Sequence, residues 1–285
     1  MDSDNDSGPI DLSDDGFLEL NDVTLRKLQS NDPDAEWLRI TDNWIEGAGL
    51  AIANNNVLTT IELNLESEKR ENGWLEDLCQ GIACNRSIKT FELSIERCCM
   101  CQDIFRILSK FFECNSNLYF VRIFAGHLDE GIDGAEVKNG IDDYCINILS
   151  TALIRNTAFT DLEIHGDLNL TATGWRKLSD ALSDPKCCLE CLTLGSSDNI
   201  GDGVLTCLGF ALERNKTLYS LEISNHSSIT SSGWGFFAFC LKNPSSALMT
   251  LDLEACNIEP AGAAEIVSAL AINSQLKELN MNKND

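Results

Sequence analysis

Apolar residues recur along the chain at the first, fourth and sixth places of short stretches that read as half-buried strands. These are LTTIEL from Leu58, IKTFEL from Ile88, LYFVRI from Leu118 and FTDLEI from Phe159. LECLTL from Leu189, LYSLEI from Leu218, LMTLDL from Leu248 and LKELNM from Leu276 continue the series. Successive starts lie 30, 30, 41, 30, 29, 30 and 28 residues apart. A fixed period of this length marks a repeat array. Segments such as GWLEDLCQGIACN and GAAEIVSALAIN, apolar at three-to-four spacing, fill the intervals as helices. Each unit reads strand, loop, helix, turn, and that alternation predicts a parallel sheet.

Two further signals keep the same register. Gly-Trp occurs at Gly73-Trp74, Gly174-Trp175 and Gly233-Trp234, each Trp sixteen residues after the first apolar place of its unit. A Trp opening a helix offers an apolar plate to the neighbouring unit. Asn55, Asn85, Asn115, Asn156, Asn215 and Asn273 each precede the next unit's first apolar residue by three. An Asn at a helix end is expected to take the left-handed cap conformation that most residues resist. The two junctions that miss this spacing contain Pro185 and Pro244.

LTTIEL…GWLEDLCQGIACN and LMTLDLEACNIEPAGAAEIVSALAINSQ resemble leucine-rich repeats of the ribonuclease-inhibitor-like type, and the resemblance runs from about Phe17 to the C-terminus. It implies an α/β fold: a right-handed solenoid in a horseshoe arc, parallel strands on the concave face and helices on the convex face. Cys256 and Asn257 stand where such repeats carry a buried Cys or Asn, whereas Glu66 and Ser197 occupy the place of Cys256 in earlier units. The expected organisation is an acidic, disordered head over 1–16 followed by one repeat domain over 17–285. That domain divides into irregular capping units over 17–57, seven repeats over 58–275 and an incomplete last repeat over 276–285. The interval of 41 places an insertion at 125–144. The sequence ends just after a strand-like stretch, so either further chain or a partner is expected to cover that uncapped C-terminal edge by strand pairing.

Charge narrows the partner. The formal net charge is −24, which disfavours nucleic acid and anionic membranes and favours a protein with a basic surface. No secretory signal or membrane-length apolar run is present. The thirteen cysteines are scattered through apolar positions rather than arranged as a disulfide framework. A cytoplasmic location is expected, with the nucleus as the alternative.

In a strand the third, fifth and seventh places share the face away from the helices. The fifth places include Glu62, Glu92, Arg122, Glu163, Glu222 and Asp252, an acidic stripe interrupted by one Arg. Around that interruption lie Phe120 and Phe124 on one strand and Asp161, Glu163 and His165 on the next. Aromatic and Arg side chains dominate binding hot spots, so these ten residues are the candidate partner-binding set. Arg122 and Glu163 are placed to form an ion pair.

Candidate chemistry is weak by comparison. Cys98/Cys101 and Cys188/Cys191 have zinc-like spacing, but the register sets them three units apart, too far to share one ion. Asp161, Glu163, His165 and Cys191 share a face yet diverge along it. In the insertion, an EF-hand reading from Asp129 fails at Gly131 and Gly140, where acidic ligands are required. His127 and His226 lie at loop positions with no Ser or Cys partner for nucleophilic catalysis. No cofactor, metal or catalytic residue is expected. The function these features predict is a non-catalytic protein-interaction scaffold using the concave strand face. Some proteins of the resembling type activate a small GTPase, which makes such a regulator the alternative.

Overall fold

The computed structural model describes residues 16–41, 45–65, 73–95, 101–126, 140–166, 168–195 and 200–284. In chain order the elements are β1 (Leu18–Glu19), α1 (Asp22–Ser30), β2 (Trp37–Ile40), α2 (Ala48–Asn54), β3 (Thr60–Leu65), α3 (Trp74–Cys84) and β4 (Thr90–Ile95). They continue with α4 (Cys101–Cys114), β5 (Phe120–Ala125), β6 (Ile141–Asp142), α5 (Asp143–Arg155), β7 (Asp161–Gly166), β8 (Leu168–Asn169) and α6 (Ala172–Ser183). The last are β9 (Cys191–Gly195), α7 (Asp202–Arg214), β10 (Ser220–Ser224), α8 (Ser231–Leu241), β11 (Thr250–Asp252), α9 (Pro260–Leu270) and β12 (Glu278–Asn280).

Ten strands form one parallel sheet in the order β1-β2-β3-β4-β5-β7-β9-β10-β11-β12, and β6 pairs with β8 in a separate ribbon. Neighbours in the large sheet are successive units, so the chain advances by one strand and one helix at a time. Residues of the sheet alternate between buried and half-buried places, as in β3, β4 and β7. The buried set, including Ile61, Leu63, Phe91, Leu93, Val121, Ile123, Leu162 and Ile164, joins the apolar helix faces in one continuous core. The helices therefore lie on one side of the sheet and leave the other open. This is an α/β array of leucine-rich-repeat character. The ribbon of β6 and β8 was not foreseen from the periodicity, because two-residue strands carry no alternation to detect.

The turn asparagines act differently from the expectation. Asn55, Asn85, Asn156 and Asn215 close their helices in extended backbone conformations, with φ of −77°, −66°, −102° and −63°. They work through the side chain. The Asn85 amide donates to the carbonyls of Ile52 (2.7 Å) and Asn55 (2.8 Å) in the previous unit, and its oxygen accepts the N–H groups of Ser87 and Ile88. Asn55, Asn156, Asn215 and Asn273 likewise donate across the junction to Leu28, Phe112, Leu182 and Leu241. Buried backbone groups at each turn need such partners, and a short carboxamide serves both sides at once.

A second set of contacts ties helix starts together. The first residue of α5, Asp143, accepts the N–H and hydroxyl of Thr171, the N-cap of α6. Asp202 at the start of α7 does the same for Thr230, the N-cap of α8. The glycines of two Gly-Trp pairs make room for this. A Cβ on Gly174 would lie 2.3 Å from Asp143 Oδ1, and one on Gly233 would lie 2.4 Å from Asp202 Oδ1. Between α6 and α7 the corresponding residues are Ala172, Gly201 and Val204, so this polar contact is missing. A crevice of about 290 Å³ opens there instead, lined by those residues with Leu170, Trp175 and Cys207. Trp175 and Trp234 are buried in the core beneath these helix starts.

Candidate protein-binding face

The open side of the sheet is built from the fifth strand places, which form one row across all ten strands. In register it runs Glu19, Arg39, Glu62, Glu92, Arg122, Glu163, Thr193, Glu222, Asp252, Asn280. Parallel pairing sets neighbouring strands roughly 4.8 Å apart, so each charge in the row feels the next. Glu62 and Glu92 sit side by side, and each turns to a different cation. Arg39 lies 2.9 Å from Glu62 and 3.6 Å from Glu19. Arg122 lies 3.2 Å from Glu92 and 2.6 Å from Glu163. Two Glu–Arg–Glu triplets thus give every glutamate of the row from β1 to β7 an arginine partner, although each triplet keeps one net negative charge.

Aromatic rings flank both arginines. Arg122 sits over the Phe120 ring at 5.0 Å, and Arg39 over Phe17 at 4.8 Å, with Trp37 beside Phe17 at 5.7 Å. Glu19, Arg39, Phe17 and Trp37 were not among the face residues expected from sequence, because the clear periodic signal begins only at Leu58. The available signal was WLRI, whose Leu38 and Ile40 pair with Ile61 and Leu63 and so put Arg39 in the row.

Phe124 is 41% exposed and stacks on His165 with ring centroids 5.0 Å apart and planes at 16°. On the far side of His165, Gly195 stands opposite in register, where a Cβ would come within 2.5 Å of Nδ1. The imidazole therefore lies between an aromatic ring and a bare backbone. Its Nε2 is 3.6 Å from Glu163, an ionic contact only when the ring is protonated. His165 and Arg122 together hold the Glu163 carboxyl at about 2, below its ordinary 4.5, His165 being the larger influence and burial opposing both. At 2.6 Å, Arg122 is the geometrically firmer partner, and Glu163 in turn raises the guanidinium.

The row changes character past β9. Glu222 accepts the Ser224 hydroxyl at 2.9 Å, and Asp252 accepts the Asn280 amide at 2.9 Å. Neither has an ion-pair partner among the described residues. Asp161 is adjacent to Cys191 in register, and burial pushes the Cys191 thiol up. Cys188 donates to the Lys186 carbonyl. Cys98, His127, Asp129 and residues 127–139 of the insertion lie outside the described residues. Among the described residues, no group of three or more His, Cys, Asp or Glu side chains could hold a metal ion, and no helix is long and apolar enough to cross a membrane.

His226, read above as a loop residue, is fully buried, and its Nε2 lies 2.9 Å from the Leu194 carbonyl. A carbonyl only accepts, so Nε2 carries the proton of that bond. Cys256 Sγ donates to Ile223 at 2.9 Å and Asn284 Nδ2 to Leu253 at 2.8 Å, from the same place in the next two units. Three side-chain types thus tie a loop to the strand of the unit before it. Counting nine residues from Leu218 would have placed His226 opposite Cys256.

No protein-family model matches the chain. It is similar to NACHT, LRR and PYD domains-containing protein 14 of Mus musculus, 30% identical over 140 residues, which are 48% of this chain and 13% of that protein. The Homo sapiens protein of the same name is 32% identical over 139 residues, 48% of this chain and 12% of its own length. Protein 4C of the same series from Mus musculus is 24% identical over 205 residues, covering 67% of this chain and 21% of that relative. The chain thus spans about an eighth of the length of the first two relatives, and the likeness to LRR-bearing proteins agrees with a leucine-rich repeat array.

Proposed function

We propose that this chain is a non-catalytic protein-interaction scaffold whose open strand face receives a macromolecular partner. The observation that carries the reading is the Phe120–Arg122–Phe124 strand beside His165. An exposed aromatic ring, pre-stacked and set between ion-paired side chains, is the composition of a binding hot spot. The array is taken as a right-handed horseshoe of the ribonuclease-inhibitor-like type with this face concave. The acidic balance favours a protein partner with a basic surface over nucleic acid or membrane. Strand pairing at β12 and a cytoplasmic or nuclear setting belong to the same reading.

The test is affinity capture by the intact chain, followed by reconstitution with the purified partner. Arg122→Glu combined with Phe120→Ala should abolish the interaction, and Phe210→Ser on the outer helix surface should not. Unchanged affinity in the strand variant overturns the reading. The small-GTPase regulator is the alternative on the same face. Its support is weaker, because the Arg122 guanidinium is already engaged by Glu92 and Glu163. Accelerated GTP hydrolysis by the partner, lost in the same variant, would favour it.

A further inference from the structure

The two halves of the strand face differ in how their charges are used. From β1 to β7, both row arginines sit between two glutamates. A basic group arriving there must share a carboxylate with an arginine that already holds it. On β10 and β11, Glu222 and Asp252 hold only neutral donors. A cation there gains a charge-assisted bond and displaces no other cation. Lys283, near this end, is already 2.6 Å from Glu254. The exposed Phe124–His165 stack lies at the boundary between the halves.

Resting on the protein-binding reading above, we propose that the partner is an extended basic segment that crosses the strands in a defined register. Its apolar or aromatic anchor covers Phe124 and His165, and its Lys or Arg residues reach Glu222 and Asp252. The spacing follows from the sheet. Glu222 is three strands from Phe124 and Asp252 four strands, with a two-residue offset along the strand. At roughly 4.8 Å per strand and 3.3 Å per residue, these are separations of about 16 and 20 Å. An extended segment covers them in about five to six residues. Electrostatic complementarity sets register and the salt response of such a contact, while the apolar anchor supplies the salt-independent part.

The probe is a fluorescein-labelled peptide of about twelve Gly and Ser residues carrying one Trp and an Arg pair about five residues away. Its isomer places the Arg pair next to the Trp. Fluorescence anisotropy against the whole chain should show the spaced peptide binding ~10-fold tighter than the isomer at low salt. Glu222→Gln with Asp252→Asn should reduce it to the isomer's affinity and flatten its salt dependence, whereas Glu62→Gln with Glu92→Gln should not. Phe124→Ala should weaken binding yet keep the salt dependence. Equal affinity of the two isomers, an unaffected Glu222/Asp252 variant, or no binding of the spaced peptide overturns the proposal. If a natural partner is nevertheless lost on Arg122→Glu with Phe120→Ala, the protein-binding reading stands and only the register proposed here falls.

Discussion

The Asn85 carboxamide makes four hydrogen bonds to backbone, two donations to the previous unit and two acceptances within its own turn, and also accepts the Ser87 hydroxyl. Replacing it by Ala takes the acceptor from the Ser87 and Ile88 N–H groups and one donor from each of the Ile52 and Asn55 carbonyls. The expected cost is about 2–3 kcal/mol, since each unsatisfied buried group costs roughly 1–3 kcal/mol, and urea unfolding midpoints measure it. Glu163 makes a pH prediction. Its carboxyl is held at about 2 in the folded chain against an ordinary 4.5. A depressed carboxyl contributes stability that is complete above the unfolded value and is lost as pH falls toward the folded one. The Glu163 contribution should therefore disappear between about pH 4.5 and pH 2. Urea titrations at stepped pH should show a shallower acid loss in Glu163→Gln than in the unaltered chain, and identical slopes would contradict the assignment.

Helices and strands were largely legible because their signal is local. Leu and Ile at the first, fourth and sixth places fixed the strand faces, and the three-to-four spacing in GWLEDLCQGIACN marked α3 before any contact was known. The contacts between helix starts were not legible in the same way. Asp143 and Thr171 are 28 residues apart, and only the stacking of units brings them together. The glycine of Gly174-Trp175 was visible as a recurring letter, but its reason is the carboxylate of the preceding helix. Gly174→Ala and Gly233→Ala should each cost about 1–3 kcal/mol by overpacking. In the Asp143→Ala background, the Gly174→Ala penalty should shrink, and a double-mutant cycle on thermal or urea unfolding gives the coupling directly. Additive penalties would mean that the clash lies elsewhere.

As a whole, the described part of the molecule is close to one-dimensional: each unit packs mainly against the units before and after it. Stability then depends on how many neighbours a unit has. β1 and β12 each have a single strand neighbour in the sheet, and Leu276, Leu279 and Met281 are only partly buried where Leu248, Leu251 and Leu253 are wholly so. Amide hydrogen exchange should therefore run at least ~10-fold faster in β12 than in β4. Uniform protection along the array would show that it unfolds as one block. The candidate face was half legible at this scale. Periodicity put Glu62, Glu92, Arg122 and Glu163 in one row, but the division into an ion-paired and an unpaired half depended on Arg39, one unit before the first clear repeat.

The bonds from His226, Cys256 and Asn284 bear on which substitutions this place in the unit can accept. One place in the unit is filled by an imidazole, a thiol and a carboxamide, and each delivers a hydrogen to the preceding strand. What these three units share there is a donor at a certain reach, not a residue type. His226→Asn should consequently leave the unfolding midpoint nearly unchanged, whereas His226→Leu should lower it, because the Leu194 carbonyl then loses this donor. Three unlike residue types thus perform one physical task in successive units.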